Sequence, residues 1–321
     1  MKILVTGGLG FIGHNVVQQL ETLGHSVVIT DTKNTYGLLD QDELDYLIAE
    51  RRKKIRTEEI YGIDIANSDG IDYLMRKHQF DMVIHMASFP RQKVVNVDPA
   101  LGSRTMSEGL LNLLEQSKQH GVKRFVYISS SMVYGDFEDQ VQEDAECRPQ
   151  GQYGIMKLAG EWLVRDYTRR GCFEHVIIRP SAVYGEYDVE DRVVSKFMLG
   201  AMRGDTLKVN GATETLDFTY VEDAAAGIVG AALGEKTANN TYNITKSHSY
   251  SLLDAANLAV SIAGSGTVEV RGKDADFPSR GALNIDAARR DFGYDPKVDV
   301  EEGFHRYHRW FKNSEFWSSR L

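Results

Sequence analysis

The chain has 321 residues, 42% of them hydrophobic, which is enough for one large α/β domain with a smaller lobe. Its formal net charge of -9 at pH 7 disfavours a nucleic-acid or anionic-membrane partner, because a net acidic surface attracts neither. The two cysteines, Cys147 and Cys172, lack the spacing of metal ligands or of a disulfide framework. We therefore expect reduced thiols and no metal site.

The sequence carries no signal for export or for membrane insertion. Residues 2–6 begin a strand pattern at once, without a charged and then apolar leader. The Ala-rich stretch 223–233 is too short to span a bilayer and is flanked by acidic residues. We expect a cytoplasmic protein.

Short β-rich runs alternate with helical patterns along the first half, which is typical of a parallel sheet covered by crossover helices. The predicted strands cover residues 3–6, 26–31, 59–63, 82–85, 124–128 and 175–179. The predicted helices cover residues 11–24, 69–78, 99–120 and 152–170. Strands such as 126–128 are apolar throughout, as expected when both faces are buried. The pattern predicts a doubly wound parallel sheet.

After Pro180 the alternation loosens into a smaller, mixed α/β lobe. The predicted elements are a helix at 191–203, a strand at 207–209, a helix after Asp223 and a helix from about residue 299. We predict a first domain of residues 1–179 with about 216–245, and a second lobe of residues 180–215 with about 246–321.

The segment 38–56 is unusually charged and contains the run ERRKK at residues 50–54. Charge runs are usually exposed faces, so the favoured interpretation is a solvated helix. A role in steering phosphate is the alternative.

The run GGLGFIG at residues 7–13 follows a predicted strand and opens an amphipathic helix. Gly7, Gly10 and Gly13 suit a tight turn, a close approach of pyrophosphate and close packing of the helix on the strand. The helix N-terminus then offers unpaired N–H groups to the phosphates. The context predicts a dinucleotide site.

Asp31 ends the second predicted strand, where a carboxylate would accept hydrogen bonds from the adenosine ribose hydroxyls. Its charge would repel a 2'-phosphate, so NAD is favoured over NADP, although Lys33 nearby acts in the opposite direction. A plain turn residue is the alternative interpretation.

Tyr153 and Lys157 are four residues apart on one face of a predicted helix. The lysine ammonium, with the positive nicotinamide ring, is expected to lower the tyrosine pKa and make Tyr153 an acid/base for a substrate hydroxyl. In isolation such a pair is an ordinary surface contact. The nucleotide motif and the strand-end run SSSMVYG at 129–135 favour the catalytic interpretation.

Together these motifs resemble the extended short-chain dehydrogenase/reductase family, in its NAD-dependent epimerase/dehydratase (nucleotide-sugar epimerase) branch. The resemblance runs on through residues 149–161, 179–185 and 217–223. It implies a Rossmann fold, NAD as cofactor and a nucleotide-sugar substrate. The cofactor contacts that it implies are Gly7, Gly10, Phe11, Ile12, Gly13, Asp31, Thr32, Asp64, Ile65, Met86, Ala87, Ser88, Thr105, Tyr153 and Lys157.

The resemblance makes Ser130 the group that hydrogen-bonds the substrate hydroxyl, so the catalytic set is Ser130, Tyr153 and Lys157. Of the neighbouring serines, Ser131 is favoured over Ser129 to face the sugar. Dehydratase and decarboxylase branches carry an acidic residue where this chain has Met132, which cannot transfer a proton. Elimination chemistry is therefore disfavoured.

The chain departs from the family pattern where epimerases hold the diphosphate. Ala182 replaces a frequent Asn, Leu216 replaces a common Arg, and Arg192 stands where Asn is frequent. Guanidinium groups bind phosphate bidentately, so Arg91, Arg192 and Arg280 are the candidate substrate residues together with Ser131. An exposed or structurally paired arginine is the alternative for each.

The expected function is NAD-dependent epimerisation of a nucleoside-diphosphate sugar at C4 through a keto intermediate. The alternatives are a net dehydrogenase or reductase using the same residues, and a dinucleotide-sensing protein without catalysis. The resemblance also implies a homodimer packed through the helices at 99–120 and 152–170.

Overall fold

The computed structural model describes residues 1–34, 41–89, 92–274 and 278–321, apart from the side chain of Val94. The strands are β1 (Lys2–Thr6), β2 (Ser26–Thr30), β3 (Ile60–Tyr61), β4 (Met82–His85), β5 (Arg124–Ile128), β6 (Glu174–Pro180), β7 (Val183–Tyr184), β8 (Thr206–Asn210), β9 (Thr215–Asp217), β10 (Thr219–Tyr220), β11 (Asn240–Ile244), β12 (Ser249–Ser251) and β13 (Thr267–Arg271).

The helices are α1 (Phe11–Thr22), α2 (Gln41–Arg52), α3 (Ser68–His78), α4 (Gln92–Val97), α5 (Pro99–Ser103), α6 (Gly109–Gln119), α7 (Gly151–Arg169), α8 (Val193–Arg203), α9 (Val221–Leu233), α10 (Leu252–Ala263), α11 (Asp286–Phe292), α12 (Val300–Asn313) and α13 (Glu315–Ser318). The single helix predicted at 99–120 is instead α5, a π-helical turn over Arg104–Glu108, and α6. Among the described helices, none is both long and apolar enough to cross a membrane.

Seven parallel strands form the main sheet in the order β11-β6-β5-β4-β1-β2-β3. Side chains of successive strand residues point to opposite faces, and each face packs against helices. Ile3 and Val5 pack with α1 and α9, whereas Leu4 packs with α3 and α6. The predicted doubly wound α/β fold is confirmed.

The order of the strands reverses at β1. The chain adds β2 and β3 on one side of β1 and then crosses back to place β4 on the other side. Thr6 at the end of β1 is in register with Thr30 and with His85. In open parallel sheets, ligands bind outside the carboxyl ends of the strands at such a switch point. The topology therefore places the cleft after Thr6.

The second lobe is built on helices and small sheets. Helices α8, α10 and α12 surround a core that contains Phe304, Tyr307 and Phe311. Strand β8 pairs with β13 in parallel, and β9 pairs with β12 antiparallel. Strand β11, in contrast, belongs to the main sheet and lies beside β6. The second lobe lies over the carboxyl edge of the sheet and forms the other wall of the cleft.

Candidate active site

One cleft of about 1400 Å³ lies between the carboxyl edge of the sheet and the second lobe. It gathers nearly all the residues that the sequence singled out. The lining includes Gly7, Gly10, Phe11, Ile12, Gly13, Asp31, Thr32, Asp64, Ile65, Met86, Ala87, Ser88, Thr105, Ser130, Ser131, Tyr153, Lys157, Arg192 and Arg280. Arg91, the remaining candidate, lies outside the described residues.

The glycine loop packs too tightly for side chains. A Cβ on Gly13 would lie 2.2 Å from the carbonyl oxygen of Gly7, and one on Gly10 would lie 3.0 Å from that same oxygen. Gly10 caps α1 without a side chain, so its first N–H groups receive no side-chain cap from this residue, and no other described side chain is found to accept from them. An anion at this helix end would accept these hydrogen bonds, as the dinucleotide prediction requires.

The carboxylate of Asp31 is fixed by the backbone. Its Oδ2 accepts a hydrogen bond from the Leu9 amide at 3.0 Å, and its Oδ1 accepts one from the Lys33 amide at 2.8 Å. Burial raises the pKa of Asp31, and these two hydrogen bonds oppose the rise. The group is held in place beside the glycine loop, at the position where a ribose diol would bind.

Several polar groups lie along the cleft where the cofactor is expected. Ser88 Oγ is buried and lacks a hydrogen-bond partner among the described residues. Asp64 Oδ1 accepts from the Ala66 amide at 2.9 Å, and Thr105 lies in the π-helical turn. Buried polar atoms without a protein partner usually mark a ligand or water position. These residues fit an extended, polar dinucleotide.

Tyr153 and Ser130 come together because α7 begins directly against the turn that follows β5. A Cβ on Gly154 would lie 2.6 Å from the carbonyl oxygen of Met132, so this glycine permits the contact. Ser130 and Tyr153 both line the cleft, and the Ser130 hydroxyl acts to lower the pKa of Tyr153. The hydroxyl pair predicted from the sequence is therefore present in the cleft.

Protein groups act on Tyr153 differently from the expectation. Burial raises the pKa of Tyr153, and the groups that oppose the rise are the Ser130 hydroxyl and the Arg192 charge. Lys157 Nζ lies 5.8 Å from the centre of the Tyr153 ring, so the two residues share a helix face as predicted. Within the protein alone, however, the pKa is not lowered, and Lys157 is not among the groups that act to lower it.

Lys157 is buried and binds the main chain. Its Nζ donates to the carbonyl oxygen of Ile128 at 2.7 Å. Burial lowers the pKa of Lys157 to about 7, and the negative charge of Glu161 opposes this. The group can therefore change its charge near neutral pH.

A buried ion pair lies directly beneath the site. Arg179 donates to both carboxylate oxygens of Glu161, at 2.9 and 2.7 Å. Ser129 Oγ donates to the same carboxylate at 2.6 Å, so this serine belongs to the network. Ser131 Oγ instead donates to Ser181 Oγ at 3.2 Å. Both serines line the cleft, so the preference for Ser131 over Ser129 remains a prediction.

The two described candidate arginines differ in their contacts. Arg192 Nε lies 3.7 Å from Asp188 Oδ1, and the side chain is about a third exposed. Arg280 Nη1 lies 3.6 Å from the sulfur of Met132, and burial lowers the pKa of Arg280 to about 10. The Nε atoms of both arginines are buried and make no hydrogen bond to the described residues. Both guanidinium groups can thus donate hydrogen bonds to further partners in the cleft.

The positions that depart from the family pattern also line the cleft. Leu216 is buried, and Ala182 has a φ of 36°, a conformation in which Asn is more usual than Ala. Met132 is buried as well, and its sulfur contacts Arg280. These side chains supply no charge for a diphosphate.

The interpretation of the charged segment as a solvated helix was wrong for part of α2. Glu43 and Arg51 are only 4% and 5% exposed, and Leu44 and Leu47 are buried beside them. Arg51 also lines the cleft. Its position four residues after Leu47, on the buried face of the helix, is the signal that could have identified it.

Comparisons with known proteins agree with this geometry. Residues 3–245 match the NAD dependent epimerase/dehydratase family. An uncharacterized UDP-glucose epimerase of Bacillus subtilis is 29% identical over 94% of this chain and 95% of its own. A UDP-glucuronic acid decarboxylase of Arabidopsis thaliana is 28% identical over 98% of this chain and 70% of its own.

Among solved structures, the UDP-glucuronic acid 4-epimerase of Bacillus cereus, in complex with UDP-glucuronic acid and NAD, is similar to this fold. The TM-score is 0.88 at 27% identity, and the match covers 97% of this chain and 98% of that one. The family match covers most of the chain, including the glycine loop and the Tyr153–Lys157 pair. The chain therefore belongs to the NAD dependent epimerase/dehydratase family, which confirms the resemblance inferred from its sequence and the expectation of NAD as cofactor.

Proposed function

We propose that this protein epimerises a nucleoside-diphosphate sugar at C4 with NAD, through a transient keto sugar. The coarser part, conversion of a sugar nucleotide with NAD, rests on family membership and on relatives that are named as UDP-sugar enzymes. The choice of epimerisation rests on the side chains in the cleft.

The observation that carries this choice is Met132. Its side chain lies in the cleft on the turn that also carries Ser130, and it contacts Arg280. A thioether has no proton to give or take at neutral pH, so it supplies no acid for eliminating water or for a decarboxylation pathway. Ser130 and Tyr153 beside it provide what oxidation and re-reduction of an alcohol need.

Bound NAD supplies an acceptor for the hydride of the sugar carbon and returns that hydride later. The residues of the cleft fit this cofactor. Gly10 and Gly13 leave room at the end of α1, Asp31 presents a fixed carboxylate, and Ser88 presents a hydroxyl that makes no hydrogen bond to the described residues. Tyr153 and Lys157 lie at the other end of the same cleft.

Burial raises the pKa of Tyr153, so in this proposal the positive nicotinamide ring of bound NAD would supply the charge that favours its phenolate. The phenolate accepts the proton of the C4 hydroxyl while the carbonyl forms, and Ser130 donates to the developing carbonyl oxygen. Lys157 is held by Ile128 and would bind the nicotinamide ribose. The keto sugar then presents its other face, and Tyr153 returns the proton to the oxygen as the alcohol forms again.

The rest of the substrate has to remain bound while the sugar turns. Arg192 and Arg280, with buried Nε atoms that make no hydrogen bond to described residues, are the proposed diphosphate ligands. They would replace the positive charge that Leu216 does not supply and the hydrogen bonds that Ala182 does not supply. Ser131, which lines the same cleft, is the further proposed substrate contact.

We also propose the predicted division of labour and assembly. Residues 1–179 with about 216–245 bind NAD, and the remainder binds the sugar nucleotide. Helices α6 and α7 expose Leu111, Ile155 and Trp162, with Trp162 64% exposed, and this surface suits a homodimer. Light scattering on the purified protein measures its molar mass and so distinguishes a dimer from a monomer.

The function is tested by incubating the protein with UDP-, GDP-, CDP- and dTDP-sugars, with and without added NAD. Chromatography resolves the products while the reduced-nicotinamide absorbance is followed. An isomeric sugar nucleotide without net reduced cofactor supports the proposal, and Tyr153→Phe must abolish it. Stoichiometric cofactor reduction, or loss of water or carbon dioxide from the sugar, would show a different reaction.

A further inference from the structure

Helix α2 lies between the two lobes, although it follows β2 in the chain. Tyr46 stacks on Phe316 with ring centroids 4.3 Å apart, and its hydroxyl is hydrogen-bonded to Ser314 Oγ at 2.7 Å. The carboxylate of Glu43 accepts a hydrogen bond from the Glu190 amide at 2.8 Å. The helix therefore joins the C-terminal helices to the segment that leads into α8.

Arg51, near the end of α2, bridges the two walls of the cleft. Its Nη1 donates to the Leu9 carbonyl oxygen at 3.2 Å, and its Nε and Nη2 donate to the Tyr187 carbonyl oxygen at 3.2 and 2.7 Å. Burial lowers the pKa of Arg51 to about 10, and the charges of Asp188 and Asp31 are the main opposing groups. A buried guanidinium thus lies between two carboxylates, one on each side of the cleft.

On the cofactor side, Leu9 connects Arg51 to the proposed ribose ligand. The Leu9 amide donates to Asp31 Oδ2 at 3.0 Å, while the carbonyl of the same residue accepts from Arg51. A ligand that fixes Asp31 therefore also fixes the backbone that Arg51 holds.

On the substrate side, Arg51 holds a backbone in an uncommon conformation. Tyr187 has a φ of 69°, which few bulky residues adopt, and its carbonyl accepts both hydrogen bonds from Arg51. The next residue, Asp188, is buried and lies 3.7 Å from Arg192 Nε. The series of contacts ends at Arg192, which lines the same cleft as Tyr153 and whose charge opposes the rise in the Tyr153 pKa.

We propose that Arg51 is a positioning residue that couples occupation of the adenosine end of the cleft to the placement of Arg192 beside Tyr153. This inference rests on the proposed function, because it takes a dinucleotide and a sugar nucleotide as the two occupants. Fixing Asp31 steadies Leu9 and Arg51, and Arg51 keeps Tyr187 in its left-handed conformation. Asp188 then stays against Arg192, and the substrate wall is ordered before the sugar nucleotide arrives. The hydrogen bonds and the ion pair that would carry this coupling run from Asp31 through Leu9, Arg51, Tyr187 and Asp188 to Arg192.

The test follows backbone hydrogen exchange over residues 186–192 in the purified protein, with and without saturating NAD. In the wild-type protein, NAD is expected to slow exchange in this segment by about fivefold or more. Arg51→Met keeps the length of the side chain but not its charge or its hydrogen bonds. This variant is expected to bind NAD while exchange in the segment no longer responds. Arg52→Met is the matched control, since the Arg52 guanidinium donates to the Ile55 carbonyl oxygen and pairs with Glu58 instead of bridging the cleft.

Asp188→Asn removes the charge that pairs with Arg192, at the substrate end of the same series of contacts. This variant tests the proposal if Arg51→Met does not fold. It too is expected to lose the response to NAD. A full response in Arg51→Met or in Asp188→Asn, or no response in the wild-type protein, would overturn the proposal. The exchange measurement needs no sugar nucleotide, so an inactive protein in the substrate panel would refute the proposed function while leaving this result to stand by itself.

Discussion

Lys157 Nζ donates a hydrogen bond to the carbonyl oxygen of Ile128 at 2.7 Å, at the end of the strand that leads into the catalytic turn. The contact ties the middle of α7 to β5. Burial of the amine lowers its pKa to about 7, well below that of a lysine in an unfolded chain.

Lys157 should therefore make stability depend on pH. Between its folded pKa of about 7 and its unfolded pKa of about 10, the unfolded chain binds a proton that the folded chain does not. The free energy of unfolding must then rise with pH across this window by up to a few kcal/mol from this group. Lys157→Met should flatten that rise when urea unfolding is measured at several pH values. If the free energy of unfolding rose equally with pH in both proteins, the lowered pKa of Lys157 would be contradicted.

The pair Glu161 and Arg179 should show strong coupling. Both side chains are buried and joined by two hydrogen bonds, so removing one partner leaves an unpaired charge. Glu161→Gln and Arg179→Met should each cost about 3–5 kcal/mol in the free energy of unfolding, and the double variant should cost clearly less than their sum. A double-mutant cycle in urea measures this, and simple additivity would show that the two groups act independently.

Arg192 should act both on substrate affinity and on Tyr153. Removing its charge raises the pKa of Tyr153 further, so in Arg192→Met the acid limb of the kcat–pH profile should move to higher pH. The KM for the sugar nucleotide should rise markedly, because a proposed phosphate ligand is lost. Arg271→Met is the control, since Arg271 lies on β13, is exposed and pairs with Glu269. An unchanged KM would remove Arg192 from the proposed substrate site.

Gly13 should tolerate no side chain. A Cβ there would lie 2.2 Å from Gly7 O, so Gly13→Ala must displace the loop. We expect a loss of about 1–3 kcal/mol in stability and weaker NAD binding by calorimetry. Gly62→Ala adds the same methyl group where no atom lies within 4 Å, and it should stay within about 0.5 kcal/mol of the wild-type protein. Unimpaired NAD binding in Gly13→Ala would contradict the assignment of the loop.

The sequence predicted those parts of the site that depend on local spacing. Gly13 and Gly10 are a few residues apart on one loop, and Tyr153 and Lys157 are one helical turn apart, so their arrangement follows from strand and helix geometry. The same holds for the long, apolar strands of the sheet. Short strands such as β7 and β10 have two residues each, too few for a recognisable period.

Contacts between distant segments could not be predicted in this way. Arg51 meets Leu9 and Tyr187 across 42 and 136 positions of the chain, and nothing in the charged run indicates those partners. Ser129 and Ser131 likewise donate to different partners, Glu161 and Ser181, and both partners lie in other segments of the chain. Tertiary packing decided both.

The most direct test of the central claim is epimerisation in deuterated water, with the product carbon examined by NMR. If hydride leaves and returns at the same carbon while Tyr153 handles only the hydroxyl proton, the inverted sugar nucleotide will carry no deuterium at that carbon. Substrate deuterated at C4 will keep its label for the same reason. Deuterium taken up from water at the inverted carbon, or loss of the C4 label, would contradict the account, because it would mean that the C–H bond breaks as a proton transfer to solvent.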